Sequence, residues 1–437
     1  MNAFRRRNRS YSIQVRLLSA VLAVFVMISA GLFSGCSDAS EEEEKKPADF
    51  GDYGEKTALM LATSFPERYA YSQKEREAGV FIKEELIRMG YTVEEQKFSS
   101  SDLTSSSTNY IVRIPGEGFM LRAEGEQYSP IRRTVVVGAH YDMPPLPSSG
   151  EEPADDEAEP KQTEGDPSST DPTEQVMIYD GLQSNASGVA CLLTIAERMR
   201  VEKPAYDVIL VAFGASSDDF RGARSFLNAM SSEEKRSIDV MYCIESIYAG
   251  DKLYASSGIS SLIPGKKYEY RRKLYEAYDV VYNNMLRSRN NIDLFYNMSG
   301  LYVDLNGDEI PDIYREVTFN RSDYVPFDEA RIPIVFFESY EYNATVLSEM
   351  KETKNLNLQE EGGLIRGTHL DSSAFLEKEL GPDRLTLRIN NTAFIIIAAI
   401  RRGVHNAVPV SLYNAGERLA PIIRVTETVP YQSQKKQ

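Results

Sequence analysis

The sequence predicts an α/β domain with a mostly parallel central sheet flanked by helices. The stretch at residues 133–140 contains an unbroken run of valines rather than an alternating pattern, which is typical of a strand buried on both faces. Further apolar stretches lie at residues 206–213 and 238–244. Segments with helical spacing lie between such stretches, and strands that alternate with helices favour parallel pairing. The composition agrees, since 42% hydrophobic and 26% charged residues are typical of a globular chain with a sizeable core.

The elements can be placed in chain order from their spacing and end signals. Ser72 followed by Glu75 is a capping-box pattern, and the apolar residues after it repeat at helical spacing until Gly90. The predicted helices are at residues 72–89, 185–199, 220–230, 264–289 and 390–401. The predicted strands are at residues 91–98, 110–114, 133–140, 206–213, 238–244 and 332–337.

The amino terminus has the pattern of a secretory leader. Residues 1–35 contain five arginines and no acidic residue, and an apolar run at 17–33 ends with Ser34 and Gly35 before Cys36. This arrangement resembles the lipobox of bacterial lipoproteins, which implies cleavage before Cys36 and lipidation of its thiol. We therefore expect a lipid-anchored protein on the extracytoplasmic face of the cell membrane. An uncleaved anchor helix is the alternative.

The rest of the chain is predicted to form one domain with two insertions. Residues 36–52 are short, polar and acidic and are interpreted as a flexible tether, and residues 53–407 as the domain. Residues 144–175 are rich in proline and acid and have no aromatic side chain, so we expect a disordered insert, with an acidic lure for cations or basic peptides as the alternative. A second insertion is predicted at residues 250–320, and residues 408–437 form a tail.

Charge and residue counts exclude several classes of function. The chain has 49 basic and 65 acidic residues, a formal net charge of −16, which argues against nucleic acid as a partner. Three cysteines cannot form a disulfide framework. Because only His140, His369 and His405 could supply imidazole, any zinc site must draw on carboxylates.

Chemically capable side chains follow the predicted strands. In an open parallel sheet, ligands bind beyond the carboxyl ends of the strands. His140 and Asp142 form an H-x-D pair in which the carboxylate could orient the imidazole, and Glu245 follows another strand. The same reasoning selects residues 180–185, 216–219 and 323–327, and His369 with Asp371 lies in a late loop.

Five motifs in the right order resemble a known family over about residues 53–405. They are F-P-E-R-Y-A-Y-S at 65–72, T-N-Y-I-V-R-I-P-G at 108–116, V-V-V-G-A-H-Y-D at 135–142, N-A-S-G-V-A at 185–190 and S-D-Y-V-P-F-D-E-A-R-I-P at 322–333. The family is that of the co-catalytic zinc aminopeptidases of the bacterial leucyl aminopeptidase, glutamate carboxypeptidase and glutaminyl cyclase type. The resemblance implies two bridged zinc ions that activate water, with a glutamate that moves the proton.

Position by position, the resemblance assigns the H-x-D pair to His140 and Asp142 and two further metal ligands to Glu245 and His369. Three other functional positions hold serine. Ser184 stands where the family has the metal-bridging aspartate, Ser216 where it has the general base, and Ser217 where it has another ligand. The acidic residues that could substitute are Asp180, Asp218 and Asp219.

These departures predict a catalytically impaired domain with weak or partial zinc binding, because a neutral hydroxyl cannot carry the charge that bridges two dications. We expect binding of a peptide or protein partner in the former cleft. A working zinc-dependent exopeptidase that uses displaced acids is the alternative, and a purely structural envelope protein is a third.

A second motif predicts a calcium loop. It offers oxygen donors at loop positions 1, 3, 5 and 9, namely Asp304, Asn306, Asp308 and Asp312. The segment resembles the D-x-N-G-D-G-x-x-D loops of integrin-like repeats, with Glu309 in place of the second glycine. A simple Asp/Asn/Gly turn remains the alternative.

Overall fold

A twisted sheet of eight strands organises the protein, seen in a computed structural model that describes residues 46–123, 127–146, 178–201, 203–298, 301–303, 312–344 and 346–419. From Pro47 onward the described residues form one compact unit. The strands are β1 (Glu94–Ser99), β2 (Ser106–Ile114), β3 (Phe119–Arg122), β4 (Tyr128–Ile131), β5 (Thr134–His140), β6 (Asp207–Phe213), β7 (Ile238–Ile244), β8 (Lys252–Ser256), β9 (Leu294–Phe295), β10 (Leu301–Val303), β11 (Asp312–Tyr314), β12 (Ile334–Tyr340) and β13 (Ala407–Pro409).

The sheet has the order β1-β2-β6-β5-β7-β12-β8-β9. Its four central strands, β6, β5, β7 and β12, are all parallel. The joins of β2 with β6 and of β12 with β8 are antiparallel. The predicted fold class, a mostly parallel sheet with flanking helices, is therefore confirmed. A small sheet of β13, β3 and β4 and a β10–β11 pair stand apart from the central sheet.

Helices cover both faces of the sheet. They are α1 (Tyr53–Ser64), α2 (Gln73–Arg88), α3 (Ser187–Met199), α4 (Arg221–Ala229), α5 (Ser232–Ser237), α6 (Lys267–Asn283), α7 (Leu286–Arg289), α8 (Val325–Glu329), α9 (Ser373–Leu380), α10 (Arg384–Arg401) and α11 (Val410–Asn414). Within the described part of the chain, no helix combines the length and hydropathy needed to cross a bilayer.

Strand β5 shows why its sequence lacks the alternation of a half-exposed strand. Val135 and Val137 lie in the larger apolar cluster, with α1, α3 and α10, whereas Val136 lies in the smaller cluster, with α4 and α8. Successive side chains of a strand point to opposite faces, so both faces of β5 are buried. Every residue of β5 is buried, and its carboxyl end is thereby fixed between two neighbouring strands.

The predicted elements are largely present, with shifted ends. The predicted helix at 264–289 is two helices, because the backbone of Met285 adopts a left-handed conformation between α6 and α7. Strands β3, β4, β8, β9, β10, β11 and β13 and helices α1, α5, α8, α9 and α11 were not predicted. The predicted leader at 1–35, Cys36 and most of the insert at 144–175 lie outside the described residues.

Candidate active site

The carboxylate of Asp142 is fully buried just beyond β5. Its Oδ1 accepts a hydrogen bond from the backbone N–H of Ser216 at 2.8 Å. Its Oδ2 accepts two more from Ser217, from the backbone N–H at 3.0 Å and from the hydroxyl at 2.8 Å. Although burial opposes ionisation, these bonds and the neighbouring His140 hold the pKa of Asp142 below its ordinary value. Asp142 thus holds the loop after β6 against the end of β5.

His140, the last residue of β5, contacts Glu245 directly. Its Nε2 lies 2.9 Å from Oε2 of Glu245, and its Nδ1 lies 2.9 Å from the backbone oxygen of Asp142. Burial alone would lower the pKa of His140, but the carboxylates of Glu245 and Asp142 outweigh it and raise the pKa well above its ordinary value. The pKa of Glu245 is correspondingly lowered, against the effect of burial, chiefly by His140. The two side chains therefore form a buried ion pair.

A second cation lies against the same carboxylate. Nη1 of Arg366 lies 3.4 Å from Oε1 of Glu245, and about a quarter of the Arg366 side chain is exposed. Glu245 also accepts hydrogen bonds from the hydroxyls of Ser246 and Ser322, at 2.7 and 2.6 Å. Glu245 is thus saturated by hydroxyl donors and two cationic side chains.

Asp323 is a buried acid with an unused oxygen. Its Oδ2 accepts a hydrogen bond from the hydroxyl of Ser216 at 2.9 Å, whereas Oδ1 has no partner among the described residues. Burial is the main cause that raises the pKa of Asp323 to about 7, and the nearby Asp142 and Glu245 carboxylates add to it. Ser216 therefore joins two acids, through its backbone to Asp142 and through its side chain to Asp323.

The N-A-S-G motif fixes the turn that carries Ser184. Oδ1 of Asn185 accepts hydrogen bonds from the backbone N–H groups of Gly188, in α3, and Ser246, after β7. A Cβ atom at Gly188 would lie 2.2 Å from that same oxygen, so glycine is required there by close approach. The Ser184 hydroxyl is buried and has no hydrogen-bond partner among the described residues.

The backbone at residues 180–184 is held by two further buried side chains. Asp371 accepts hydrogen bonds from the N–H groups of Gln183 and Ser184, at 2.7 and 3.0 Å. Arg68, which is fully buried, donates from Nε to the carbonyl of Tyr141 and from Nη2 to that of Gly181. Arg68 thereby joins the end of β5 to the turn that precedes α3.

His369 faces other partners. Its Nε2 lies 3.4 Å from Glu360 and its Nδ1 3.3 Å from Glu361, and about a third of the side chain is exposed. In the described ranges, no group of three or more His, Cys, Asp or Glu side chains is placed to hold a metal ion. The predicted ligands His140 and Glu245 are together, but His369 does not join them.

The three acids considered as substitutes are also bonded elsewhere. Asp180 accepts hydrogen bonds from the backbone and the hydroxyl of Ser373 at the start of α9. Asp218 binds the hydroxyls of Tyr71 and Ser101, both at 2.6 Å. Asp219 is exposed and pairs with Arg224 and Arg321. Each of these carboxylates has a structural partner.

Sequence reasoning missed Arg366 and Arg68. Neither residue stands directly after a predicted strand, which is where an α/β sheet is expected to place its site residues. Arg68 lies inside the motif at 65–72. Because arginine side chains are usually exposed, its burial could be expected only once the fold was known. Arg366 lies three residues before His369, and no pattern in the sequence ties it to Glu245, which is more than one hundred residues away.

With this geometry in view, the comparisons with known proteins identify the class. The fold is that of the zinc aminopeptidases, and the site stands at the carboxyl ends of β5 and β7, where such an α/β fold builds one. The chain matches Peptidase family M28 over residues 120–360, more than half of its length. The chain belongs to Peptidase family M28.

One curated relative and three solved structures are informative. The chain is 24% identical over 212 residues to the alkaline phosphatase isozyme conversion protein of Escherichia coli K12, a match that covers 48% of this chain and 55% of that protein. The match therefore spans a little over half of the relative's length.

The solved structures share the fold at low identity. The zinc aminopeptidase BSAP of Bacillus subtilis has a TM-score of 0.51 and 12% identity, covering 82% of this chain and 96% of its own. An Acidobacteriales bacterium glutaminyl cyclase has a TM-score of 0.50 and 14% identity, covering 84% and 99%. A Zn-dependent exopeptidase of Parabacteroides distasonis has a TM-score of 0.50 and 15% identity, covering 80% and 98%.

The family and these neighbours suggest zinc, but the donor set does not fit a bridged pair of zinc ions. The position where the family resemblance implies a metal-bridging aspartate holds Ser184, whose hydroxyl is neutral. His140 and Glu245 bind each other, and the guanidinium of Arg366 adds positive charge beside them. A dication placed there would be repelled by Arg366 and would lack an anionic bridge. The described residues therefore do not form a site for a bridged pair of zinc ions.

Proposed function

We propose that this chain is a membrane-anchored, extracytoplasmic M28 domain that binds a peptide or protein ligand and does not hydrolyse it at a family-like rate. One observation carries the proposal: Glu245 is neutralised by His140 and Arg366, side chains of the protein itself. In a hydrolase of this class, metal ions compensate the charge of such a carboxylate. Here the imidazolium of His140 and the guanidinium of Arg366 compensate the charge of Glu245. The protein thus keeps the site folded while the activated water is lost.

Four features support a polypeptide as the ligand class. The fold is one whose members include peptidases, and the site retains buried polar atoms, Ser184 Oγ and Asp323 Oδ1, without partners in the described part of the protein. The name of the Escherichia coli relative describes an action on another protein, alkaline phosphatase. The side chain of Arg366 is partly exposed and suits a carboxylate, because its planar fork of N–H donors matches the two carboxylate oxygens.

Anchoring and calcium belong to the same proposal. The proposed lipid on Cys36 would hold the domain at the membrane surface, and the loop that follows β10 would bind calcium. Strands β10 and β11 flank the proposed calcium segment and are antiparallel, with Val303 paired to Asp312. Asp304, Asn306 and Asp308 themselves lie outside the described residues.

Metal analysis and turnover test the central claim together. The purified full-length chain, saturated with zinc and then dialysed, is expected to retain less than one equivalent and to leave aminoacyl-nitroanilide and dipeptide substrates intact over hours. Loss of a positioned base alone typically costs about 10²- to 10⁴-fold in rate. Two tightly bound equivalents, together with turnover abolished by His140→Ala, would instead establish a working exopeptidase with displaced acids.

Ligand binding is tested with a matched pair of probes. Acetyl-trialanine with a free carboxylate and its carboxyl-terminal amide differ in a single charge. We expect the carboxylate form to bind more tightly, and Arg366→Gln to remove that difference. Equal binding of both forms to the wild type, or no binding of either, would contradict a carboxylate-terminated peptide as the ligand.

A further inference from the structure

A basic cavity lies at the end of the sheet opposite the candidate active site. Its volume is about 550 Å³. The residues that precede three parallel strands form part of its wall, namely Arg133 before β5, Arg236 before β7 and Pro333 before β12. The active-site residues follow the other ends of these strands. Seven-residue strands place the two ends about 20 Å apart, so the cavity is a separate feature.

The charge of this cavity opposes that of the whole chain. Five lining residues are cationic, Arg133, Lys235, Arg236, Arg272 and Arg331, whereas only Asp239 and Glu269 are acidic. The cavity therefore has a surplus of three positive charges in a chain of net charge −16. Such a local reversal produces a positive potential that draws anions to a concave, partly apolar surface.

Most of these cations have no counter-charge of their own. Arg272 pairs with Asp239 and Glu276, and Glu269 pairs with Lys266. By contrast, Arg133, Lys235, Arg236 and Arg331 form no ion pair with any residue of the described segments. Arg133 instead donates to the backbone carbonyl of Arg236 at 3.0 Å, at the end of α5. Like charges that line one cavity repel each other, and an anion bound between them would relieve that repulsion.

We propose that this cavity binds a ligand carrying at least one phosphate group. A single carboxylate is satisfied by one arginine, whereas a phosphate offers several acceptor oxygens and a charge near −2, which matches three arginines and a lysine. The volume falls within the range of small-molecule sites and exceeds that of a bare phosphate ion. The ligand is therefore a phosphomonoester, either a soluble one or a lipid headgroup that ends in a phosphate.

Calorimetric titration of the full-length chain in neutral detergent tests the site with two probes. Glycerol 3-phosphate represents a soluble phosphomonoester, and phosphatidic acid carried in the same detergent represents a lipid headgroup of the same charge. The variant Arg236→Gln/Arg331→Gln removes two unpaired cations of the cavity. The control Arg200→Gln/Arg287→Gln removes the same charge from exposed positions that do not line it.

The wild type and the control are expected to bind at least one probe with equal affinity, and the cavity variant about tenfold or more weakly, because charge-assisted bonds are lost. Tighter binding of glycerol 3-phosphate identifies a soluble ligand, and tighter binding of phosphatidic acid a lipid headgroup. Absence of binding by both probes, or equal weakening in the control, would overturn the proposal. Melting curves of all variants without ligand confirm that each is folded.

Discussion

His140 and Glu245, which stand at the ends of adjacent parallel strands, contact each other at 2.9 Å between Nε2 and Oε2. Two residues that the family resemblance assigns to metal binding are thus each other's partners. Their strands, β5 and β7, are both buried throughout most of their length. The parallel pairing of β5 and β7 brings the side chains of His140 and Glu245 together.

The contact between Arg366 and Glu245 should contribute measurably to stability. Removing the guanidinium leaves a buried carboxylate less compensated, so Arg366→Gln is expected to lower the free energy of unfolding by about 1–3 kcal/mol. A double-mutant cycle with Glu245→Gln should give a coupling energy of about 1–3 kcal/mol in urea denaturation. The exposed pair of Arg321 and Asp219 is the control.

That control pair should show a coupling of about 0–1 kcal/mol, because both side chains are more than half exposed and screened by solvent. If the two cycles gave the same coupling, the guanidinium of Arg366 would not be compensating Glu245.

Glu338 should make stability depend on pH. It is buried, and burial is the main cause that raises its pKa from an ordinary 4.5 to about 7. Between about pH 4.5 and 7 the folded protein holds a proton on Glu338 that the unfolded chain has released. Stability from this group is therefore fully present below pH 4.5 and is lost as pH rises through 7, by up to about 3 kcal/mol.

Denaturation of the wild type and Glu338→Gln across pH 4–8 measures this contribution. The variant keeps an acceptor for the hydroxyl of Tyr342, which binds Glu338 at 2.6 Å, but cannot ionise. Its stability should fall less steeply between pH 5 and 7 than that of the wild type. Parallel pH profiles would show that Glu338 does not titrate in this range.

The fold could be predicted because strands that are buried on both faces have continuous apolar sequences. The apolar runs that form β5, β6 and β7 are continuous, and their order along the chain, interrupted by helices, is enough to predict parallel pairing. The short strand β8 could not be found in this way. It pairs antiparallel with β12 near one edge, and its five residues carry no helix or turn signal that would separate them from a loop.

The candidate site was predictable only where a strand ends. His140, Asp142 and Glu245 stand at such positions, and the structure gathers them. Their partners come from loops, and the loop carrying Arg366 is oriented by hydrogen bonds between its backbone and Glu352. The direction in which a loop side chain points depends on such tertiary contacts. For the same reason, the sequence could not show that His369 faces Glu360 and Glu361.

Lipidation of Cys36 should decide where the protein resides. If the residue is lipidated after removal of residues 1–35, Cys36→Ala should release the chain from membranes or leave an unprocessed precursor. Labelled palmitate should be incorporated into the wild type and not into the variant. Ser34→Ala, which keeps a small residue before the cysteine, is the control. Equal labelling of the wild type and Cys36→Ala would rule out this thiol as the attachment point.

Calcium should stabilise the chain through the segment between β10 and β11. A cation that binds only the native state raises stability by about 2.7 kcal/mol at one hundred times its dissociation constant. Calcium is therefore expected to raise the melting temperature of the wild type and not of Asp304→Ala. Magnesium, which prefers a smaller octahedral site, should have less effect. Identical melting curves in calcium and in chelator would reject the loop as a calcium site.

Restoring the acidic side chains should restore zinc binding, which is the strongest test of why the site is silent. The variant Ser184→Asp/Ser216→Glu/Ser217→Glu replaces three neutral hydroxyls by carboxylates at the positions where the family resemblance implies acidic residues. Without metal these carboxylates repel Asp142 and Asp323, so the variant should melt at a lower temperature than the wild type.

Zinc should remove that deficit by binding the native state, and only in the variant. Adding His140→Ala to the triple substitution should abolish the response, because it deletes an imidazole ligand and keeps the added charges. Zinc titrations followed by thermal melting, together with assays on aminoacyl substrates, measure both effects. If zinc raises the melting temperature of the wild type as much as that of the variant, the serines are not the cause of the impaired site, and the ion pair of His140 with Glu245 must open to accept metal.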